Sequence, residues 1–322
     1  MSETPEALPL ISLVVPVLNE EDNIGPLVER VAAVMAQVAD RYDYELVFTD
    51  NHSDDTTWQK LTALAAERPD VRAYRFSRNF GYQKSIRTGY LKARGAAAIQ
   101  LDADLQDPPE LILEFLGHWE AGSKVVYGVR RSRQEGVVVT VIRRVFYWVI
   151  DALSEDRLPR DAGDFRLIDR QVIEVLRGDG DVHPYIRGRI ATMGFTQTGI
   201  PYDRSARQAG ETKFPFWSMV GLAVDGITSH SAKPLRFATY LGVGTMAASF
   251  AAGLIYLSAR LIFGAEWPAG FATLVVMVLF FSGLNSLLLG LMGEYVARIF
   301  EQLKQSPDTL IEVSLNDPEN DR

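Results

Sequence analysis

Three features of the amino-acid sequence predict an α/β protein in two parts. Short β-branched apolar runs alternate with helix-periodic segments, polar clusters recur just after those runs, and two long stretches near the C-terminus carry no charge. Repeated strand–helix–strand units build a parallel sheet with helices on both faces. The charge-free stretches predict a membrane hairpin joined to that sheet.

The first strand is Leu10 to Val17, LISLVVPV, a run apolar enough to be buried on both faces and ended by Pro16 and Asn19. Ile24 to Ala39 then spaces Leu27, Val31, Val34 and Val38 at helical intervals. Tyr44 to Thr49 predicts a second strand and Thr57 to Glu67 a second helix. Val71 to Phe76 and Ala97 to Leu101 predict the next two strands, with a helix over Tyr82 to Arg94 between them. Pro108 and Pro109 open a further helix at its favoured first turn. Lys124 to Gly128 and Thr196 to Tyr202 predict two more strands. Beyond them, Pro215 to Ser229 is apolar except for Asp225 and predicts a helix lying at a membrane interface, with Phe216 and Trp217 at headgroup depth.

Phe237 to Ala259 is 23 residues without a charge, and Trp267 to Gly293 is 27 more. As helices these measure about 35 and 40 Å, enough to cross a hydrocarbon core of about 30 Å with some tilt. The short link from Arg260 to Glu266 makes them a hairpin with both ends on one side. Lys213, Lys233 and Arg236 precede the hairpin, Arg298 and Lys304 follow it, and Arg260 alone lies in the link. That bias predicts a multi-pass protein of the inner (plasma) membrane with both termini cytoplasmic. Met1 to Pro9 is acidic and lacks the apolar core of a signal peptide, so the first two-thirds is expected to stay in the cytoplasm. Gly242-Val-Gly244-Thr-Met-Ala247 mimics a dinucleotide fingerprint but follows no strand, so its glycines read as close helix packing. Ser282, Gly283, Ser286, Gly290 and Gly293 in the second span predict a homo-oligomer. The expected domains are 1–203, a catalytic domain; 204–233, a loop and interfacial helix; 234–293, the hairpin; and 294–322, a helix and an acidic, disordered tail.

Composition excludes several function classes. There are 33 Lys and Arg against 41 Asp and Glu, a formal net charge of -8, which disfavours a nucleic-acid binder. Cysteine is absent, so disulfides, thiolate metal sites and Cys nucleophiles are out. The four histidines lack the paired spacing of a zinc site.

In a parallel sheet, ligands bind beyond the carboxyl ends of the strands. Polar residues sit there: Asn19, Glu20 and Glu21 after the first strand, Asp50, Asn51, Ser53 and Asp55 after the second, Arg78, Asn79 and Gly81 after the third. After the fourth comes Asp102-Ala103-Asp104-Leu105-Gln106. Alternate residues of an extended segment share a side, so two carboxylates and an amide oxygen offer hard oxygen donors to Mg²⁺ or Mn²⁺. Arg130, Arg131, Arg133, Arg143 and Arg144 form a basic stretch suited to phosphate, and Arg204, Arg207 and Lys213 lie in a Gly-containing loop that reads as a lid over a bound phosphate.

The segments VVPVLNEE (Val14 to Glu21), FSRNFGYQ (Phe76 to Gln83), LDADLQDPPE (Leu101 to Glu110), GDFRLIDR (Gly163 to Arg170) and AGETKFP (Ala209 to Pro215) resemble glycosyltransferase family 2 in order and content. With the hairpin, the chain is most similar to polyprenyl-phosphate glycosyltransferases, relatives of dolichyl-phosphate mannose synthase. The resemblance implies the GT-A nucleotide-sugar fold and a nucleotide pocket of Pro16, Leu18, Glu20, Phe48 and Asp50. It implies substrate contacts from Ala103, a metal held by Asp102, Asp104 and Gln106, and phosphate grips from Arg130, Arg207 and Lys213. Asp104 and Asp164 take the catalytic places. The implied reaction moves a hexosyl group, with glucose from UDP-glucose the best fit, onto a polyprenyl phosphate at the cytoplasmic bilayer face. Two departures stand out. The chain reads Asp50-Asn51-His52-Ser53 where the family usually has Asp-Asp-Gly-Ser, and the basic residue before Phe146-Tyr147 is shifted to Arg143 and Arg144. A processive polysaccharide synthase is disfavoured because no Gln-x-x-Arg-Trp occurs. A non-catalytic nucleotide-sugar sensor is disfavoured by the intact Asp102, Asp104 and Gln106.

Overall fold

The computed structural model describes residues 8–131, 162–178, 186–203, 233–263, 270–303 and 309–318. The chain divides into two compact units. One comprises 1–135, 158–212 and 306–322, and the other 136–157 and 213–305.

The first unit alternates strand and helix as expected: β1 (Leu10–Val17), α1 (Ile24–Met35), β2 (Asp43–Asp50), α2 (Thr57–Glu67), β3 (Val71–Phe76), α3 (Tyr82–Lys92), β4 (Ala97–Gln100), α4 (Leu111–Glu120) and β5 (Val125–Arg130). Then come β6 (Ala162–Asp169), α5 (Arg170–Arg177), α6 (Ile186–Thr192) and β7 (Gln197–Tyr202). The eight strands form one sheet in the order β7-β5-β6-β4-β1-β2-β3-β8, with β8 spanning Ile311–Leu315.

Side chains alternate across β1. Ile11, Leu13, Val15 and Val17 pack on one face with Leu27 and Val31 of α1 and Ile112 and Phe115 of α4. Val14 faces the other way, with Ile86 and Tyr90 of α3 and Val172 and Ile173 of α5. Helix α3 comes so close to β1 that a Cβ on Gly89 would lie 2.2 Å from Val14 Cγ1. The sheet is thus sandwiched between helices, and β1 is buried on both faces.

Two parts of the sheet differ from the parallel arrangement expected. Strand β6 runs antiparallel to both β4 and β5, and was not anticipated because GDFRLIDR reads as a motif and not as a periodic run. Strand β8 corrects the expectation of a disordered acidic tail. It pairs antiparallel with β3, and the register slips between Arg75 and Phe76. That bulge lets Ile311 and Leu315 pack on opposite faces of the sheet. Five residues of alternating polarity sufficed to cover an edge that β3 would otherwise expose. Buried Asp317 completes the anchor, accepting from Arg72 at 3.1 Å and Lys92 at 3.2 Å.

The second unit contributes two long helices, α7 (Lys233–Phe263, 31 residues) and α8 (Phe271–Leu303, 33 residues), which contact one another. Large apolar side chains stand open on both, among them Phe250, Ile255, Phe280 and Leu289. Counted over the described residues, no helix is long and apolar enough to cross a membrane, so the expected hairpin does not emerge from the structure as such. The expected lid and interfacial helix, including Arg207, Lys213, Phe216 and Trp217, lie outside the described residues, as do Arg133, Arg143, Arg144 and Arg204.

Candidate active site

Strands β1 to β4 run parallel in neighbouring positions, so the loops that follow them share one edge of the sheet. The first two loops are laced together by backbone donors. Asn51 N–H donates to Val17 O at 2.9 Å, Asn19 N–H to Ser53 Oγ at 3.0 Å, Asp54 N–H to Asn19 Oδ1 at 2.8 Å and Glu20 N–H to Thr57 Oγ1 at 2.8 Å. Asn19 holds this shape at φ 57, in the left-handed region that asparagine tolerates. Much of the polar clustering legible in the sequence therefore shapes the loops. Asp55, for instance, accepts Thr57 N–H at 2.9 Å as a local turn cap.

Within this frame Asp50 is fully buried at the end of β2. Its Oδ1 accepts Ser53 N–H at 3.0 Å and Ser53 Oγ–H at 2.5 Å. Its Oδ2 is buried with no hydrogen bond, and Arg75 Nε, likewise without one, lies 3.7 Å away. Burial raises the Asp50 carboxyl above its ordinary range despite the help from Ser53 and Arg75. An unfilled buried acceptor beside a charged donor is costly unless a ligand completes it. Leu18 is exposed at the rim, and Glu20 accepts from Asn23 Nδ2 at 2.5 Å. Pro16 is buried in the sheet. Phe48, expected in the nucleotide pocket, is fully buried in the core. The altered Asn51-His52 pair has local work: Asn51 Oδ1 accepts Phe80 N–H at 2.8 Å, while His52, at φ 65, places Nδ1 2.9 Å from Phe76 O.

Past β4, Leu105 at φ 54 reverses the chain, and Asp104 Oδ1 accepts Gln106 N–H at 3.2 Å. Asp102 Oδ1 is held by the Tyr82 hydroxyl and by Gln100 Nε2 at 2.9 Å. The Asp102 carboxyl is pushed up to about 6 by burial, opposed by the Tyr82 hydrogen bond and reinforced by the charges of Asp107, Asp104 and Asp164. Four carboxylates therefore crowd one place. Among the described residues no group of three or more acids or histidines stands as a ready metal cage. The donor set is oxygen only, and its negative charge fits a hard divalent cation that keeps water or phosphate oxygens in its remaining positions.

The far wall comes from the second half of the sheet. Tyr202 at the end of β7 donates its hydroxyl to buried Asp107 Oδ1 at 2.5 Å, and its phenol is raised to about 12 by burial and that carboxylate. Arg130 Nη2 lies 3.6 Å from Asp107 Oδ2, and Arg130 Nε donates to Tyr202 OH at 3.3 Å. A Cβ on Gly163 would meet Arg130 Nη2 at 3.3 Å, so the glycine beside Asp164 makes room for this guanidinium. Asp164 Oδ1 pairs with Arg187 Nε at 3.2 Å. Asp50, Asp102, Asp104, Gln106, Arg130 and Asp164 are thus placed at the ends of four strands of one sheet. Tyr82, Gln100, Asp107, Tyr202, Arg75 and Arg187 were missed. Tyr82 and Asp107 stood in quoted motifs, but the others gain meaning only from partners remote in sequence.

The chain is similar to several known proteins. Residues 12–177 match the model of glycosyl transferase family 2. The uncharacterised glycosyltransferase YkcC of Bacillus subtilis is 40% identical over 304 residues, covering 94% of this chain and 93% of its own. A bactoprenol glucosyl transferase of Shigella phage SfII is 35% identical over 305 residues, covering 94% and 98%. Among solved structures, a mannosyltransferase of Pyrobaculum calidifontis in complex with GDP-Man and Mn²⁺ has 16% identity and a TM-score of 0.48, over 94% of this chain and 88% of that one. On its motifs, its mixed α/β sheet and relatives matched along nearly their full length, the chain belongs to glycosyl transferase family 2.

Proposed function

We propose that the protein transfers glucose from UDP-glucose to a polyprenyl phosphate at the cytoplasmic face of the inner membrane, with inversion at the anomeric carbon. The observation that carries this reading is the crowd of Asp102, Asp104, Asp107 and Asp164 at the strand ends, beside the open acceptor of Asp50. The bactoprenol glucosyl transferases, 35% identical along almost the whole chain, support the acceptor and the sugar.

In this reading the uridine base places its ring N–H on Asp50 Oδ2, the buried acceptor that makes no hydrogen bond. Asp102, Asp104 and Gln106 would hold Mg²⁺ or Mn²⁺, which supplies charge neutralisation for the departing diphosphate. Tyr82 and Gln100 fix Oδ1 of Asp102 and leave Oδ2 for that duty. The acceptor phosphate has a second pKa near 6 by analogy with phosphoserine, so it is mostly ionised at neutral pH and needs no strong base. Its oxygen forms the new bond to the anomeric carbon while the bond to the nucleoside diphosphate breaks. Arg130, anchored by Asp107 and Tyr202, grips phosphate, and the family resemblance implies further phosphate grips from Arg207 and Lys213. Asp164, held by Arg187, orients the acceptor, with a general-base role secondary.

The acceptor's long isoprenoid stays in the bilayer, and the charge-free stretches 237–259 and 267–293 supply a matching hairpin. The open apolar side chains of α7 and α8 support lipid contact there. Small residues Gly283, Gly290 and Gly293 on α8 support self-association through that span.

The test is incubation of the membrane-embedded protein with radiolabelled UDP-glucose, undecaprenyl phosphate and Mg²⁺. Labelled glycolipid that vanishes with Asp102→Asn upholds the reading. Tight donor binding without turnover would replace it with a sensor.

A further inference from the structure

The opposite edge of the same sheet holds a second concentration of charge, of the other sign. There, where β1 to β4 begin, a cavity of about 320 Å³ is lined by Arg72, Lys92, Arg94, Arg170 and Arg177, with Glu174 as its one acid among the described residues. Arg72 belongs to β3, Lys92 ends α3, Arg94 lies between α3 and β4, and Arg170 and Arg177 open and close α5.

Part of this cluster serves the fold. The last carbonyls of a helix have no partner within it. Here Arg72 Nη1 takes Lys92 O at 2.8 Å, Arg170 Nη2 takes Ala93 O at 2.9 Å, and Arg177 Nη2 takes Leu91 O at 2.9 Å. Acids among the described residues pair with all five cations. Glu45 pairs with Arg72 and Arg94, Asp317 with Arg72 and Lys92, and Glu174 with Arg170 and Arg177. Donors remain. Arg72 is only 2% exposed, and its Nε is buried without a partner. No hydrogen bond of Nη1 from Arg94 or Arg177 occurs among the described residues, and both side chains are about half exposed at the cavity's mouth (46% and 50%).

We propose that this cavity is a binding site for a compact phosphate-bearing anion of diphosphate size, separate from the nucleotide-sugar site. Guanidinium forks match phosphate oxygens in pairs, and the exposed Arg94 and Arg177 flank an interior lined by Arg72 and Arg170. Pro318 lines the same cavity and follows Asp317, so the C-terminal segment helps to build it. The ligand is either a free diphosphate or the phosphate of a lipid headgroup.

The test is calorimetry on the full chain in nanodiscs of neutral lipid, with chelator present so that no divalent ion recruits anions to the acidic edge. Inorganic pyrophosphate and dihexanoyl phosphatidic acid are titrated separately, and the tighter binder identifies the source. Wild type and Asp102→Asn are expected to bind one equivalent alike. Arg94→Ser/Arg177→Ser is expected to bind at least about tenfold more weakly, and Arg177→Ser alone, which removes an exposed pair and the bond to Leu91 O, to fall between. Circular dichroism and Tm establish that each variant is folded. Absence of binding to wild type by either probe, equal binding by the double variant, or loss of binding in Asp102→Asn would each overturn the proposal. The last would assign the anion to the acidic edge instead.

Discussion

The two edges of the sheet solve opposite electrostatic problems with the same scaffold. At the carboxyl edge, Asp102, Asp104, Asp107 and Asp164 raise one another's cost, and Asp50 is left with a bare buried oxygen. At the amino edge, buried Glu45 is surrounded by partners. Ser12 Oγ–H donates to it at 2.6 Å, Arg94 N–H at 2.8 Å, and the guanidinium groups of Arg72 and Arg94 add charge. Burial alone would raise Glu45, yet these donors hold it below the ordinary range. The difference separates a charge stored for a ligand from a charge spent on the fold. The first is expected to govern activity and the second stability.

Substitutions at the two edges sharpen that contrast. The largest effect is expected from Asp102→Asn, which should lower glycosyl transfer by about 10³-fold or more, as several kcal/mol of charge stabilisation predicts, while leaving the fold intact. Steady-state turnover beside a thermal melt checks both halves, and unfolding of the variant would contradict the division of labour. At the other edge, Glu45→Ala should cost roughly 3–5 kcal/mol of stability by stranding Arg72. Denaturant titration measures this, and a loss under about 1 kcal/mol would show that Arg72 relaxes onto Asp317 alone. Tyr82→Phe comes next. Removing the donor to Asp102 Oδ1 should weaken Mn²⁺ binding by about 10- to 100-fold, with Tm nearly unchanged. Paramagnetic resonance reads the free ion directly, and unaltered affinity would reduce Tyr82 to packing.

The smallest expected effect is one of pH. Asp102 is raised to about 6 by burial and neighbouring acids, so protons compete with a cation for it. Mn²⁺ affinity should be level above pH 6 and decline by up to about tenfold per unit below it, because a raised carboxyl binds its proton earlier on acidification. A flat profile down to pH 4.5 would place the cation elsewhere. Asp102→Asn should abolish the dependence along with most of the binding.

Much of this was readable from the chain. The apolar run of β1, the helical spacing of Leu27 and Val31, and the polar residues after each parallel strand follow from local periodicity, because a strand buried on both faces admits little else. The Asp102, Asp104 and Gln106 spacing pointed to oxygen ligation for the same local reason.

Other features were set by contacts remote in sequence. Antiparallel β6 brings Asp164 toward Asp102, and β8 closes an edge with residues that look like an acidic tail. Tyr82 becomes the clamp on a carboxylate twenty residues away, as the helix it opens crosses the sheet. Periodicity and composition report what a segment prefers in isolation. Which segments pair, and which charges finish without a counterpart, depends on burial and long-range geometry, and those exist only once the chain has packed.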